Sequence, residues 1–347
     1  MSRFNKGVIA LATMVAFTMA CSQQSSASSS WAFTDDSTNL GLTGVSPHVE
    51  RTGSVDRLWY SGGPGGTAVA DCTSSGSCTA VAANWGSPIN DVTFATFGGV
   101  KRAYFKKMDP MSGTQAVYSA PCLTADCVSI GAATLTSEQM KVSSSVRAWG
   151  VPDAVELPGG AGIRIYIVES PTMSSSCPEK VASYTSTDGV SFVKDAGYRF
   201  SKDGYVDTEI LRATTGSWLM IMADGPGCGN TQELYMSDST DGLTWSNPVA
   251  ITGSDKSRLD PTGYETSPGS NVFKVYFATS GGRQDMNFTI GSGTLKVAAA
   301  SSSATATATA KAGAACTKAG AKASVTVAKK KTTLTCKTVK KKLVWSK

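Results

Sequence analysis

Five segments of this chain can be laid over one another, and that internal repetition constrains the fold more than any other feature. The clearest layer is a set of short apolar strands: Arg57-Leu58-Trp59-Tyr60, Arg102-Ala103-Tyr104-Phe105, Arg164-Ile165-Tyr166-Ile167, Trp218-Leu219-Met220-Ile221 and Lys274-Val275-Tyr276-Phe277. Aromatic and β-branched residues dominate them, the composition of buried strands. Each is preceded by a second short segment: Ser46-Pro47-His48-Val49, Ile89-Asn90-Asp91-Val92, Val151-Pro152-Asp153-Ala154, Asp207-Thr208-Glu209-Ile210 and Asp260-Pro261-Thr262-Gly263. A third strand follows in every repeat, from Thr67-Ala68-Val69-Ala70 in the first to Thr294-Leu295-Lys296-Val297 in the last.

The third residues of the preceding segments are about 43 to 62 positions apart, the spacing of propeller blades. One blade alone exposes an apolar face, and stacking blades radially buries it. The expected fold is therefore all-β: a five-bladed β-propeller over residues 31–297. The last repeat runs out of β-sequence at Ala298, so its outer strand is expected from Trp31-Ala32-Phe33, a closure that joins the chain ends and removes a sheet edge.

Composition agrees. The chain has 347 residues with 35 Gly, 41% hydrophobic and 17% charged residues, enough for one large all-β domain with appendages. The net charge of +6 is unevenly spread. Residues 311–347 hold eleven Lys and no acid, which leaves 21 basic against 26 acidic residues elsewhere. A mildly acidic main domain argues against nucleic acid as a partner, since phosphate binding needs a basic face.

The ends read as appendages. Arg3 and Lys6 precede an apolar run from Gly7 to Ala20, an export-signal pattern too short to span a bilayer. The run ends in Thr18-Met19-Ala20-Cys21 before the polar stretch 22–30. This resembles a bacterial lipoprotein signal over residues 1–21, with Cys21 as the lipidated residue, and departs from that pattern in having Thr18 where Leu is usual. Ordinary secretory cleavage near Ala20 or Ala27 is the alternative. Setting Cys21 aside leaves eight cysteines, an even number that suits exported disulfides. Cys72 with Cys78, Cys122 with Cys127, Cys177 with Cys228, and Cys316 with Cys336 are the expected pairs. With one His and no zinc spacing, no Cys/His metal site is expected. Residues 298–315, rich in Ala, Ser and Thr, form a linker, and 316–347 a small basic β-module. Its Lys runs suit anionic wall polymers or lipid headgroups, making the cell envelope the expected partner and the cell surface the expected location.

Ser186-Thr187-Asp188-Gly189-Val190-Ser191-Phe192 and Ser239-Thr240-Asp241-Gly242-Leu243-Thr244-Trp245 resemble Asp-boxes, the Ser-x-Asp-Gly-x-Thr-Trp hairpins of sialidase-type and related glycosidase propellers. Asp and Gly build the turn, the carboxylate bonds nearby backbone, and the aromatic packs beneath. The Cys pairs of repeats one and two fall at the same place and read as staples replacing that turn. In such propellers these boxes lie away from the central site, so Asp188 and Asp241 are assigned to structure.

Chemistry is expected at the channel, where the third residues His48, Asp91, Asp153, Glu209 and Thr262 converge. Glycoside hydrolysis needs one protonated and one ionised carboxyl group, and crowding of carboxylates separates their pKa values. The resemblance to five-bladed glycosidases, which carry Asp, Asp and Glu on inner strands, implies Asp91 as base, Asp153 as pKa modulator and Glu209 as acid. The first repeat departs from it, with His48 where the acidic series normally starts. His48, Trp149, Asp207, Asp260 and Tyr264 complete the expected substrate-binding set, the two aromatics as sugar platforms. A sialidase site would need an Arg cluster that no motif here fixes, and usually six blades. No cofactor is expected, although a channel Ca²⁺ would suit such oxygen ligands. A monomer acting on, or merely holding, a glycan is the resulting expectation.

Overall fold

The structure is a computed structural model that describes residues 30–36, 39–62, 66–85, 88–109, 111, 113–142, 150–170, 177–282, 285–298, 322–327, 330–339 and 342–346. The signal, Cys21, Trp149, most of both linkers and Cys316 lie outside the described residues. Two compact units divide the chain, one of which is Ser29–Ala299.

That unit is a five-bladed β-propeller. Each blade is a four-stranded antiparallel sheet. Blade 1 comprises β2 (Val45–Thr52), β3 (Val55–Ser61), β4 (Thr67–Cys72) and β5 (Cys78–Val81). Blade 2 comprises β6 (Asn90–Phe97), β7 (Val100–Met108), β8 (Gln115–Pro121) and β9 (Thr134–Leu135). Blade 3 comprises β10 (Asp153–Glu156), β11 (Ile163–Glu169), β12 (Lys180–Ser186) and β13 (Val193–Lys194). Blade 4 comprises β14 (Tyr205–Arg212), β15 (Trp218–Asp224), β16 (Leu234–Ser239) and β17 (Val249–Ala250). Blade 5 comprises β18 (Ser257–Glu265), β19 (Val272–Ser280), β20 (Thr289–Ala298) and, from the start of the chain, β1 (Ser30–Asp35). β1 pairs antiparallel with β20, Trp31 opposite Val297 and Phe33 opposite Leu295, as the incomplete fifth repeat led us to expect. The inner strands touch in the cyclic order β2, β6, β10, β14, β18 and back to β2, so the ring is closed.

Each junction between blades holds its own hydrophobic cluster. Trp59 and Phe105 meet between blades 1 and 2. Tyr104 and Ile165 meet between blades 2 and 3. Tyr166 packs with Met220, Leu219 with Phe273, and Leu58 with Tyr276 across the remaining three. Burial between blades supplies the driving force for closing the ring.

Polar ties overlie this packing. Tyr104 Oη donates to the Gly189 carbonyl at 2.8 Å and Tyr166 Oη to that of Gly242 at 2.6 Å, so an aromatic of one blade caps the turn of the next. Those turns have the local bonding that their sequences led us to expect: Asp188 accepts from the N–H groups of Val190 and Ser191, and Asp241 from those of Leu243 and Thr244. Disulfides Cys72–Cys78 and Cys122–Cys127 staple the corresponding turns of blades 1 and 2, and Cys177–Cys228 joins blades 3 and 4.

In the other unit, β21 (Lys322–Val327), β22 (Lys330–Val339) and β23 (Lys342–Ser346) form a three-stranded antiparallel sheet. Cys336 is disulfide-bonded there.

Candidate functional site

Four inner strands carry a bulge at one equivalent place, between Val45 and His48, Asn90 and Thr93, Val206 and Glu209, and Leu259 and Thr262. The residue after the last regular pair adopts left-handed backbone in each: Ser46 (φ 51°), Asp91 (φ 54°), Asp207 (φ 54°) and Asp260 (φ 49°). Non-glycine residues occupy this region at a cost, which Asp moderates by bonding its polar side chain locally. The bulges sort the channel side chains into two tiers.

The first tier, nearer the strand starts, holds Ser46, Asp91, Asp207 and Asp260. Asp91 forms an ion pair with Lys106 of β7, Nζ to Oδ2 at 2.8 Å, and accepts from Ser61 Oγ of blade 1 at 3.2 Å. Asp207 and Asp260 hydrogen-bond to each other through their side chains. Asp260 Oδ2 also accepts from the Ser46 N–H at 2.8 Å, across the closing junction. Burial, then the charge of Asp260, pushes Asp207 well above the ordinary carboxylate range. Burial and the charge of Asp91 push Asp260 up to about 6.

The second tier holds His48, Thr93, Asp153, Glu209 and Thr262, one residue from each blade. Asp153 Oδ2 accepts from the Ile210 N–H at 2.8 Å, and Thr93 Oγ1 lies 3.5 Å from Oδ1. Glu209 Oε1 accepts from Thr262 Oγ1 at 2.8 Å. The Asp153 and Glu209 carboxyl groups also adjoin each other. Burial raises both, Asp153 to about 6, and the charge of Asp153 raises Glu209 further. The pair therefore shares a proton. His48 Nδ1 stands 3.9 Å from Glu209 Oε1, too far for a hydrogen bond. Burial, and secondarily Lys101, lowers His48 to about 3, so it is neutral at ordinary pH.

The tiers revise the sequence alignment. Asp153 and Glu209 do share one level, with His48 beside them. Asp91 does not: its equivalents are Asp207 and Asp260, and Thr93 fills the level of Asp153 and Glu209. The expectation aligned the second repeat on its carboxylate, whereas the structure aligns it on the bulge, where Val92 and Thr208 stand in register with Pro47, Pro152 and Pro261. Tyr264 is no free platform. Its hydroxyl donates to Asp56 Oδ1 at 2.7 Å, and Arg51 lies 5.4 Å from its ring centroid, so it serves the junction of blades 5 and 1. Lys106, Ser61 and Thr93 are site residues that the sequence reading missed. Thr93 carried no local signal, because the second repeat has Val92 where three other repeats have Pro. Lys106 carried no signal, because a Lys within an alternating strand reads as a solvated side chain.

A Ca²⁺ ion needs several ionised oxygens. The first tier already sets the Lys106 ammonium 2.8 Å from Asp91 Oδ2, so a cation there would meet a like charge. Among the described residues, the ligand atoms of Cys177, Glu179 and Cys228 converge, but both sulfurs are in a disulfide.

No protein-family profile matches this chain, and no curated protein matches it in sequence. Solved structures do match. A thermostable family-43 glycoside hydrolase superposes with a TM-score of 0.51 at 12% identity, over 76% of this chain and 91% of that one. A family-43 endo-arabinanase from Bacillus licheniformis gives 0.51 at 10%, over 77% and 96%. An α-L-arabinofuranosidase from Podospora anserina, solved with cellotriose, gives 0.54 at 8%, over 77% and 96%. The chain thus has the five-bladed propeller fold of these glycoside hydrolases.

Proposed function

We propose that this chain is an exported propeller on the glycoside hydrolase-like scaffold that holds a glycan without cleaving it through its inner-strand carboxyl pair. One observation carries this reading: among the described residues no base carboxylate stands level with Asp153 and Glu209, because Asp91 lies in the other tier, ion-paired with Lys106, and Thr93 and His48 fill the places of blades 2 and 1. Hydrolysis needs carboxyl groups about 5–5.5 Å apart for retention or about 6.5–9.5 Å for inversion, so that the sugar or a water fits between them. Asp153, expected as the pKa modulator of Glu209, adjoins it and leaves no such interval between them. The other contacts of these two groups, with Thr93, the Ile210 N–H and Thr262, run from blade to blade.

The test is a panel of polysaccharides, arabinan and xylan included, with retention measured by affinity electrophoresis and cleavage by release of reducing ends. Wild type should be retained by at least one polymer and release nothing. Turnover that disappears in Asp153→Asn or Glu209→Gln would overturn the reading.

A second reading, hydrolysis through the first tier, is favoured by the contrast between Asp91, ion-paired with Lys106, and the proton shared by Asp207 and Asp260. An ionised and a protonated carboxyl at one level are what such a reaction requires. Turnover abolished by Asp91→Asn and untouched by Asp153→Asn would select it.

The disulfides support the export part of the proposal, because such bonds persist in oxidising compartments. Lipidation at Cys21 and envelope contact through the basic module belong to the same proposal. Cys21→Ser should move the protein from the membrane fraction to the soluble fraction.

A further inference from the structure

The inner strands of blades 2, 3 and 4 carry an opening with further chemistry. A cleft of about 510 Å³ lies there between blades 2, 3 and 4, lined by Phe94, Asp153, Glu156, Leu157, Ile210 and Arg212 among others. Its size suits a mono- or disaccharide.

Arg212 is the distinctive group. Its guanidinium lies 4.1 Å from the Trp218 ring centroid, and one N–H donates to the Glu156 carbonyl. No ion pair joins it to a carboxylate among the described residues, whereas Arg57, Arg164 and Arg258 each have one. Glu156 does not serve this purpose, since its Oε1 accepts from the Thr96 N–H at 2.7 Å. Stacking and a single hydrogen bond thus fix a planar cation in place while leaving N–H groups of its fork for an anion, a geometry that matches a carboxylate in two-point fashion. The other walls narrow the class. Phe94, Leu157 and Ile210 offer apolar surface to the C–H face of a sugar ring. Asp153 and Glu156 offer acceptors for hydroxyl groups and repel a ligand of higher charge. A singly charged sugar meets all three demands, and a phosphate dianion does not.

We propose that this cleft binds a uronate residue, its carboxylate on Arg212. The inference rests on the glycan-directed reading above and deepens it, since Asp153 of the carboxyl pair lines this cleft. The experiment is calorimetric titration of the full chain with galacturonate and glucuronate, beside galactose, glucose and inorganic phosphate. At least one uronate should bind ten-fold or more tightly than its neutral counterpart. Arg212→Gln should abolish that difference with the fold retained by circular dichroism, and Arg212→Lys should restore part of it. Equal affinity for acidic and neutral sugars, phosphate binding as tight as the uronate, no binding of either uronate, or a uronate preference that survives Arg212→Gln would each overturn the proposal. Wild-type retention on a neutral polysaccharide together with no preference for a uronate would overturn this proposal alone, so failure here is separable from failure of the glycan-holding reading.

Discussion

Asp153 and Glu209 are two carboxyl groups in a space that tolerates one negative charge, and the same holds for Asp207 and Asp260. Their folded pKa values are raised above the unfolded value of about 3.9–4.3, to about 6 for Asp153 and for Asp260. Raised values mean that the folded chain holds these protons more tightly. The resulting stabilisation is complete below about pH 4 and is lost as pH rises through about 6. Denaturant unfolding should therefore show lower stability at pH 7.5 than at pH 5, by on the order of 2 kcal/mol per pair. Asp153→Asn, which keeps an oxygen acceptor for the Ile210 N–H, should flatten that slope. A stability that climbs from pH 5 to pH 7.5 would refute the shared-proton description. His48, the chain's single histidine, should show no imidazole titration by NMR between pH 4.5 and pH 8, since burial has lowered it to about 3.

Single elements show where the sequence was readable. The second and third strands of every blade were legible, because buried aromatic and β-branched runs have few other uses. The two Asp-Gly turns were legible for a similar reason: Asp188 and Asp241 bond their own turns. The inner strands were half legible. Side-chain identity showed that polar groups enter the channel, but a bulge shifts register by a residue, and no local preference marks Asp91 rather than Thr93 as the residue level with Asp153. Contacts such as Asp207 with Asp260 join residues distant in sequence and exist only once the ring closes. Glycine positions test the turns directly. A methyl group on Gly242 would lie 2.8 Å from Tyr166 Oη and 2.9 Å from Arg164 Nη1, at φ 70°. Gly197, at φ 72°, has open space around it. Gly197→Ala should cost about 1 kcal/mol for its backbone conformation alone. Gly242→Ala should cost clearly more, and thermal melts of the two variants check this.

The whole molecule is a ring, and its stability depends on how the ring is fastened. Cys177–Cys228 closes 51 residues and ties blades 3 and 4, while Cys72–Cys78 closes only 6. On the chain-entropy account these loops differ in stabilisation, about 4 against about 2 kcal/mol. Replacing Cys177 and Cys228 by Ser should lower the melting temperature more than replacing Cys72 and Cys78. Deleting residues 30–35 removes β1 and bares the edge of β20, which should produce association detectable by light scattering. The central claim concerns what the closed ring does with its carboxyl groups, and a crystal structure near pH 6 tests it most directly. The account predicts an oxygen of Asp153 within hydrogen-bonding distance of one of Glu209, with Thr93 and Thr262 at either side. Carboxyl groups held apart with solvent between them would contradict it.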